Sequence, residues 1–170
     1  SEIVDRVLTR IRNGSLPQDV VEVPGSPRGV FATVDSAMDA AAQAQLTLLA
    51  QPLEKRREII ANIRKRAAEN VHSLARLAVD ETGLGRYEDK IKKNLLVIHK
   101  SPGPEILEPI AYTGDNGLTL IERAPFGVIG SITPCTNPSE TIINNGIGMV
   151  SAGNTVVFNT HPAAKSTSAY

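Results

Sequence analysis

The sequence predicts an α/β protein in which N-terminal helices lead into the start of a parallel sheet. Three observations carry that expectation. Of the 36 Asp, Glu, Lys and Arg residues only seven lie after position 100: Glu105, Glu108, Asp115, Glu122, Arg123, Glu140 and Lys165. Charged, exposed helices are therefore expected in the first hundred residues, and buried strands with small-residue helices in the last seventy. Apolar residues between 53 and 100 recur every three or four positions, the period of a helix. Finally, VIGSIT, NPSETIINNGIGMVSAG and TVVF read as strand, helix and strand, a βαβ unit whose two strands run parallel.

The composition bounds the function. At 170 residues the chain can bury one core. Lys+Arg and Asp+Glu balance at 18 each, so no net field favours nucleic acid or an anionic membrane. Three Tyr, three Phe and no Trp offer little surface for stacking bases. One Cys cannot form an internal disulfide, and with three scattered His it makes a poor zinc set, so no metal site is expected. No apolar run approaches the ~20 residues of a membrane span, and no secretory apolar region is visible. A soluble, cytoplasmic protein is the expectation.

Residues 1–12, SEIVDRVLTRIR, set Ile3, Val4, Val7, Leu8 and Ile11 on one helical face. An amphipathic helix is expected over 1–15. Three Pro and three Gly in NGSLPQDVVEVPGSPRG then make 16–30 an extended linker, with 31–170 as the folded unit. Such a tethered helix either docks on its own domain or a neighbouring subunit, or serves as an address read by another protein's groove. From Asp35, expected as an N-cap, an Ala-rich helix begins. After Pro52 one long helix is expected over roughly 53–80, its basic clusters Lys55-Arg56-Arg57 and Arg64-Lys65-Arg66 forming a solvated face. Thr82-Gly83 closes it. A further helix over 87–100 is expected to turn Ile91, Leu95 and Ile98 inward and Lys90, Lys92 and Lys93 outward. His72 and His99 lie on these helices and read as structural or solvated. SPGPEILEP is a Pro-rich connection, and LTLIERA a strand ahead of the βαβ unit.

In an open α/β sheet, ligands meet the carboxyl ends of strands, where the next helix N-termini point. Residues Pro134 to Glu140 occupy that place. Asn137, Pro138 and Glu140 fit the Ncap, N1 and N3 positions of a capping box. Asn137 therefore either satisfies a backbone N–H or, with Thr136, faces a developing oxyanion, a role typically worth ~3–4 kcal/mol in the transition state. Cys135 lacks a forced activating partner, since His161 follows the next strand. A small thiol lining the site is expected, not a nucleophile. No G-x-G-x-x-G joins strand to helix and no acidic residue ends the second strand, so the ordinary dinucleotide fingerprint is missing.

Taken together, Glu122-Arg123-Ala124-Pro125-Phe126-Gly127-Val128, Ile132-Thr133-Pro134 and Gly153-Asn154-Thr155-Val156-Val157 resemble the aldehyde dehydrogenase superfamily. The form ITPCTNPSETI, with ETGLGRYEDKIKKN upstream and FNTHPAA downstream, is similar to its CoA-acylating propionaldehyde and acetaldehyde dehydrogenases of bacterial microcompartments. The match runs from near residue 30 to the end and resembles the N-terminal portion of such an enzyme.

The resemblance implies an aldehyde dehydrogenase-like fold, with helices ahead of a Rossmann-like sheet and 31–170 as part of the cofactor-binding domain. It implies NAD-dependent oxidation of a short-chain aldehyde to its acyl-CoA through a cysteine thioester, with coenzyme A as co-substrate and the nucleophilic Cys outside this chain. Thr136 aligns with the superfamily's oxyanion asparagine, whereas the asparagine here is Asn137. Asn159 aligns with the ribose-binding lysine. His161-Pro162 matches the acylating branch and either touches a nucleotide or makes a turn. Thr133, Pro134 and Cys135 are implied on the cofactor side. The N-terminal helix and linker resemble encapsulation peptides, which implies microcompartment shell proteins as partners and a place inside the compartment; a homo-oligomer is implied as well. The alternatives are a non-acylating aldehyde dehydrogenase and a non-catalytic assembly or binding fragment.

Overall fold

The computed structural model describes residues 29–170. The amphipathic helix and most of the linker expected at the N-terminus lie outside the described residues. Helix α1, Val34–Leu49, starts two residues earlier than the sequence suggests. Thr33 is its N-cap, and a reciprocal capping box with Ser36 displaces Asp35 into the first turn.

The expected long helix is two. Helix α2, Leu53–Glu69, and helix α3, Val71–Thr82, meet at Asn70, whose backbone leaves the helical region (φ −107°, ψ 12°). The Asn70 side chain donates to the carbonyl of Arg66 at 2.8 Å, a local bond that competes with the helical ladder. Helix α3 ends at Gly83, which takes φ 67°, a left-handed conformation that costs glycine little. Helix α4 covers Tyr87–Lys100.

The basic clusters divide. Lys55, Arg57 and Arg66 make exposed pairs with Glu58, Glu54 and Glu69, as a solvated face would. Arg56 and Arg64 instead turn inward. Arg64 donates to the carbonyls of Ile98 and Ser101, closing the C-terminal end of α4, and Arg56 reaches the Ser151 carbonyl at 3.4 Å. Long side chains can cover apolar surface while their guanidinium groups meet orphaned carbonyls, which a charge count does not reveal.

The Pro-rich connection folds as a 3₁₀ turn, Pro104–Leu107, and leads to an antiparallel hairpin of β1, Ile110–Gly114, and β2, Gly117–Ile121. Only the second strand was legible in LTLIERA. Every residue of the hairpin is exposed.

Strands β3, Val128–Thr133, and β4, Thr155–Thr160, pair in parallel, joined through helix α5, Pro138–Ser151. The βαβ unit is therefore present. The strands are less buried than expected: in β3 only Ser131 and Thr133 are buried, and Ile132 is 86% exposed. Ser131 Oγ accepts from Asn145 of α5, and Thr155 Oγ1 donates to the Ala41 carbonyl of α1, so the two helices lie on opposite faces of the strand pair. A 3₁₀ turn, Pro162–Ala164, and a short helix α6, Lys165–Ala169, follow.

The core is helical. Ile60 of α2, Leu74 of α3, Ile98 of α4, and Ile143 and Ile147 of α5 form one cluster, with Ile63, Ala67, Val97 and Val150 packed around it. Fully burying an isoleucine removes enough apolar surface to contribute about 2 kcal/mol. The helices of the charged first part and the helix of the βαβ unit thus share one core. That sharing fixes α4 against α5, and with it the turn at the head of α5.

Candidate functional site

The parallel register sets Ile132 beside Asn159 and Thr133 beside Thr160. The segments 133–137 and 159–162 therefore leave the sheet side by side at the carboxyl ends of both strands, where an open sheet receives ligands. Asn159, His161 and Pro162 are exposed there, as are Pro134 and Thr136, while Cys135 and Asn137 are half-buried. The structure thus gathers all eight residues singled out from the sequence at one edge.

Asn137 begins α5 with φ −139° and ψ 63°. Its side chain makes no capping bond, and Glu140 does not reach back to it, so the expected capping box is absent. Two contacts draw these groups elsewhere. Asn137 Oδ1 accepts from Lys93 Nζ at 3.2 Å, and Glu140, buried, lies 3.6 Å from Lys90 Nζ. The first turn of α5 is secured instead by Thr141, whose N–H and hydroxyl both donate to the Asn137 carbonyl, at 3.0 and 2.7 Å. With its oxygen held by a lysine, the Asn137 amide keeps its NH₂ end as the donor that can meet a ligand.

Lys90 is the residue that sequence reasoning misplaced. Expected outward, it is 2% exposed, and its amine donates to the Thr136 carbonyl. A signal was present: Lys90, Asn94 and Ile98 recur at four-residue intervals and form the buried stripe of α4. A periodicity read through Ile91, Leu95 and Ile98 assigns the lysine to the wrong side.

A hollow of about 350 Å³ opens between α4 and α5, lined by Lys93, Leu96, Val97, Asn137, Thr141 and Asn144 among others. It is large enough for a small organic substrate, and the Asn137 amide stands on its wall. Cys135 is a free thiol. His161 does turn work: its Nδ1 accepts from the Ala163 N–H at 3.1 Å, capping the 3₁₀ turn.

Two further side chains position this edge from behind. Asn154, 3% exposed, accepts at Oδ1 from the N–H groups of Phe126 and Gly127, at 2.6 and 2.9 Å, and its Nδ2 donates to the Met149 carbonyl. It ties the entry of β3 to the end of α5. Gln45 of α1 donates to the Gly153 carbonyl at 2.8 Å and accepts from the Thr155 N–H at 2.7 Å, fixing the entry of β4.

A dinucleotide fits this edge in part. The buried Thr133 Oγ1 has no hydrogen-bond partner, and exposed Asn159 and His161 offer polar groups suited to ribose hydroxyls. The head of α5 does not suit a pyrophosphate: Pro138 at N1 has no N–H, and a buried carboxylate, Glu140, occupies the first turn. Among the described residues no group of three His, Cys, Asp or Glu stands close enough to hold a metal ion, and no helix is long and apolar enough to cross a membrane.

Comparison with known proteins agrees with this geometry. The sequence model of the Aldehyde dehydrogenase family matches residues 17–170. The acetylating acetaldehyde dehydrogenase EutE of Salmonella typhimurium is 46% identical over 167 residues, 98% of this chain and 34% of its own length. The chain therefore spans about a third of the length of that relative. Among solved structures, a propionaldehyde dehydrogenase from the fucose utilisation bacterial microcompartment of Clostridium phytofermentans superposes with a TM-score of 0.79 at 55% identity, over 82% of this chain and 32% of that one. The Rhodopseudomonas palustris propionaldehyde dehydrogenase with bound propionyl-CoA gives 0.80 at 48% identity, over 85% and 32%. With a parallel βαβ unit, a polar edge at its strand ends and a family match over nearly all its length, the chain belongs to the aldehyde dehydrogenase family.

Proposed function

We propose that the protein carrying this chain oxidises a short-chain aldehyde to its acyl-CoA, through a thioester on a cysteine other than Cys135. The observation that supports it most is the engagement of Asn137. Its side-chain oxygen is held by Lys93, which leaves its NH₂ group as the donor suited to an oxyanion forming on a bound aldehyde. Thr136, its neighbour in the chain, adds a second polar side chain. Similarity to an acetylating acetaldehyde dehydrogenase and to a propionaldehyde dehydrogenase solved with propionyl-CoA supports the acylating branch.

NAD and coenzyme A are the proposed co-substrates: when bound, NAD accepts the hydride and coenzyme A accepts the acyl group. Thr133, Pro134, Cys135, Asn159, His161 and Pro162 line the edge where the nucleoside part of either would lie. Residues 31–170 then contribute part of the cofactor-binding domain. The 1–15 segment addresses the protein to a microcompartment shell, a reading supported by the microcompartment origin of the Clostridium relative. The full-length protein assembles as a homo-oligomer.

Incubating the full-length protein with propionaldehyde, NAD and coenzyme A, and separating the products, tests the activity. Propionyl-CoA formed in step with NADH is the expected result. NADH accompanied only by free propionate would favour the non-acylating reading, and no NADH at all would leave a non-catalytic role.

A further inference from the structure

Helix α4 carries the only buried lysine among the described residues, Lys90, and it meets the only buried carboxylate, that of Glu140. Burying such a pair is costly, and an apolar pair of similar volume often folds at least as stably. Nor is the pairing tight. Lys90 Nζ stands 3.6 Å from Glu140 Oε1, which makes no hydrogen bond, and Glu140 Oε2 accepts only from the neighbouring Ser139 hydroxyl at 3.2 Å. The closest contact of the amine is elsewhere, with the carbonyl oxygen of Thr136.

That contact has a geometric effect. The described residues contain no cis peptide bond, so in the Thr136–Asn137 peptide the C=O and N–H point in opposite directions. Drawing the Thr136 carbonyl towards Lys90 aims the Asn137 N–H the other way, away from the lysine amine. One turn further along α4, Lys93 orients the Asn137 side-chain amide through its oxygen. Lys90 and Lys93 lie three positions apart on one face of α4 and hold the two donors of one residue.

We infer that Lys90 is a positioning residue for oxyanion stabilisation: it holds the Thr136–Asn137 peptide in the orientation that presents the Asn137 N–H to the substrate oxygen. The inference rests on the oxyanion role proposed for Asn137. Lys90 itself touches neither substrate nor cofactor.

The test uses the full-length enzyme and follows NADH formation, which reports aldehyde oxidation whether or not coenzyme A is the acceptor. Lys90→Met/Glu140→Leu removes both charges together, so neither is left buried without a partner. Its kcat is expected to fall on the order of tenfold to a hundredfold, with KM for aldehyde and NAD within about threefold of wild type and an unchanged melting temperature. Glu140→Gln retains the contact between Lys90 and Thr136 and is expected to keep kcat within about threefold. A double variant with wild-type kcat would overturn the inference, as would a Glu140→Gln loss equal to that of the double variant. Wild-type enzyme that makes NADH but releases only free acid would sink the acylating reading and leave this comparison intact.

Discussion

The side-chain oxygen of Asn137 accepts a hydrogen bond from Lys93 Nζ at 3.2 Å, across 44 residues of sequence. That bond withdraws Asn137 from the capping role its sequence context suggests and leaves α5 to be secured by Thr141. Asn137→Ala should therefore change stability by less than about 0.5 kcal/mol, because no cap is lost. In the full-length enzyme kcat should drop on the order of 10²-fold with little change in KM. Steady-state kinetics alongside denaturant unfolding would check both. A stability loss with normal kcat would restore the capping role.

Cys135 stands half-buried at the same edge as a free thiol. Cys135→Ser should keep full-length activity within about tenfold of wild type. Acyl-enzyme trapping with labelled aldehyde should still modify one cysteine per subunit. Loss of both signals would make Cys135 the nucleophile.

Asn154 closes three backbone groups at once: the N–H groups of Phe126 and Gly127 and the carbonyl of Met149. Asn154→Ala leaves the two N–H groups without their acceptor in a partly buried setting, while the Met149 carbonyl keeps the residue-154 N–H, and should destabilise the protein by about 1 kcal/mol, measured by denaturant unfolding. Asn154→Asp keeps the acceptor for both N–H groups and should cost less.

Glu81 of α3 receives the N–H groups of Ser166 and Thr167 and the Thr167 hydroxyl, at 2.8, 2.7 and 2.6 Å. Partial burial pushes its carboxyl upward, but the Thr167 and Ser166 donors outweigh it and hold the group below its ordinary value. Glu105 is lowered as well, first by the Gly103 N–H, with Arg64 adding a smaller part. A lowered carboxyl stabilises the fold above its unfolded pKa, and the benefit is lost as pH falls through the folded one. Glu81→Gln should therefore cost roughly 1 kcal/mol at pH 7, and its deficit should shrink towards zero below about pH 4. A deficit that stays constant with pH would contradict the account.

The βαβ unit and the family resemblance were legible in the sequence, as was the gathering of residues 133–137 and 159–162 at the strand ends, because strand ends and helix heads follow from local pattern. Asn70, Lys90 and β1 were not. Asn70 breaks a helix through a single side-chain bond that the apolar period on either side of it conceals. Lys90 is buried because Glu140 and the Thr136 carbonyl wait 50 and 46 residues away. The four-residue stripe of Lys90, Asn94 and Ile98 marks the buried face, but no periodicity identifies partners so far along the chain. Strand β1 is exposed throughout, so no alternation of apolar and polar residues marks it.

The central claim is that Asn137 faces the oxygen of the reacting aldehyde carbon. A crystal structure of the full-length enzyme, acylated by propionaldehyde and NAD without coenzyme A, measures this directly. The account predicts the thioester oxygen about 3 Å from an Asn137 donor, the side-chain amide or the backbone N–H. A thioester oxygen held by other groups, more than about 5 Å from either donor, would contradict it.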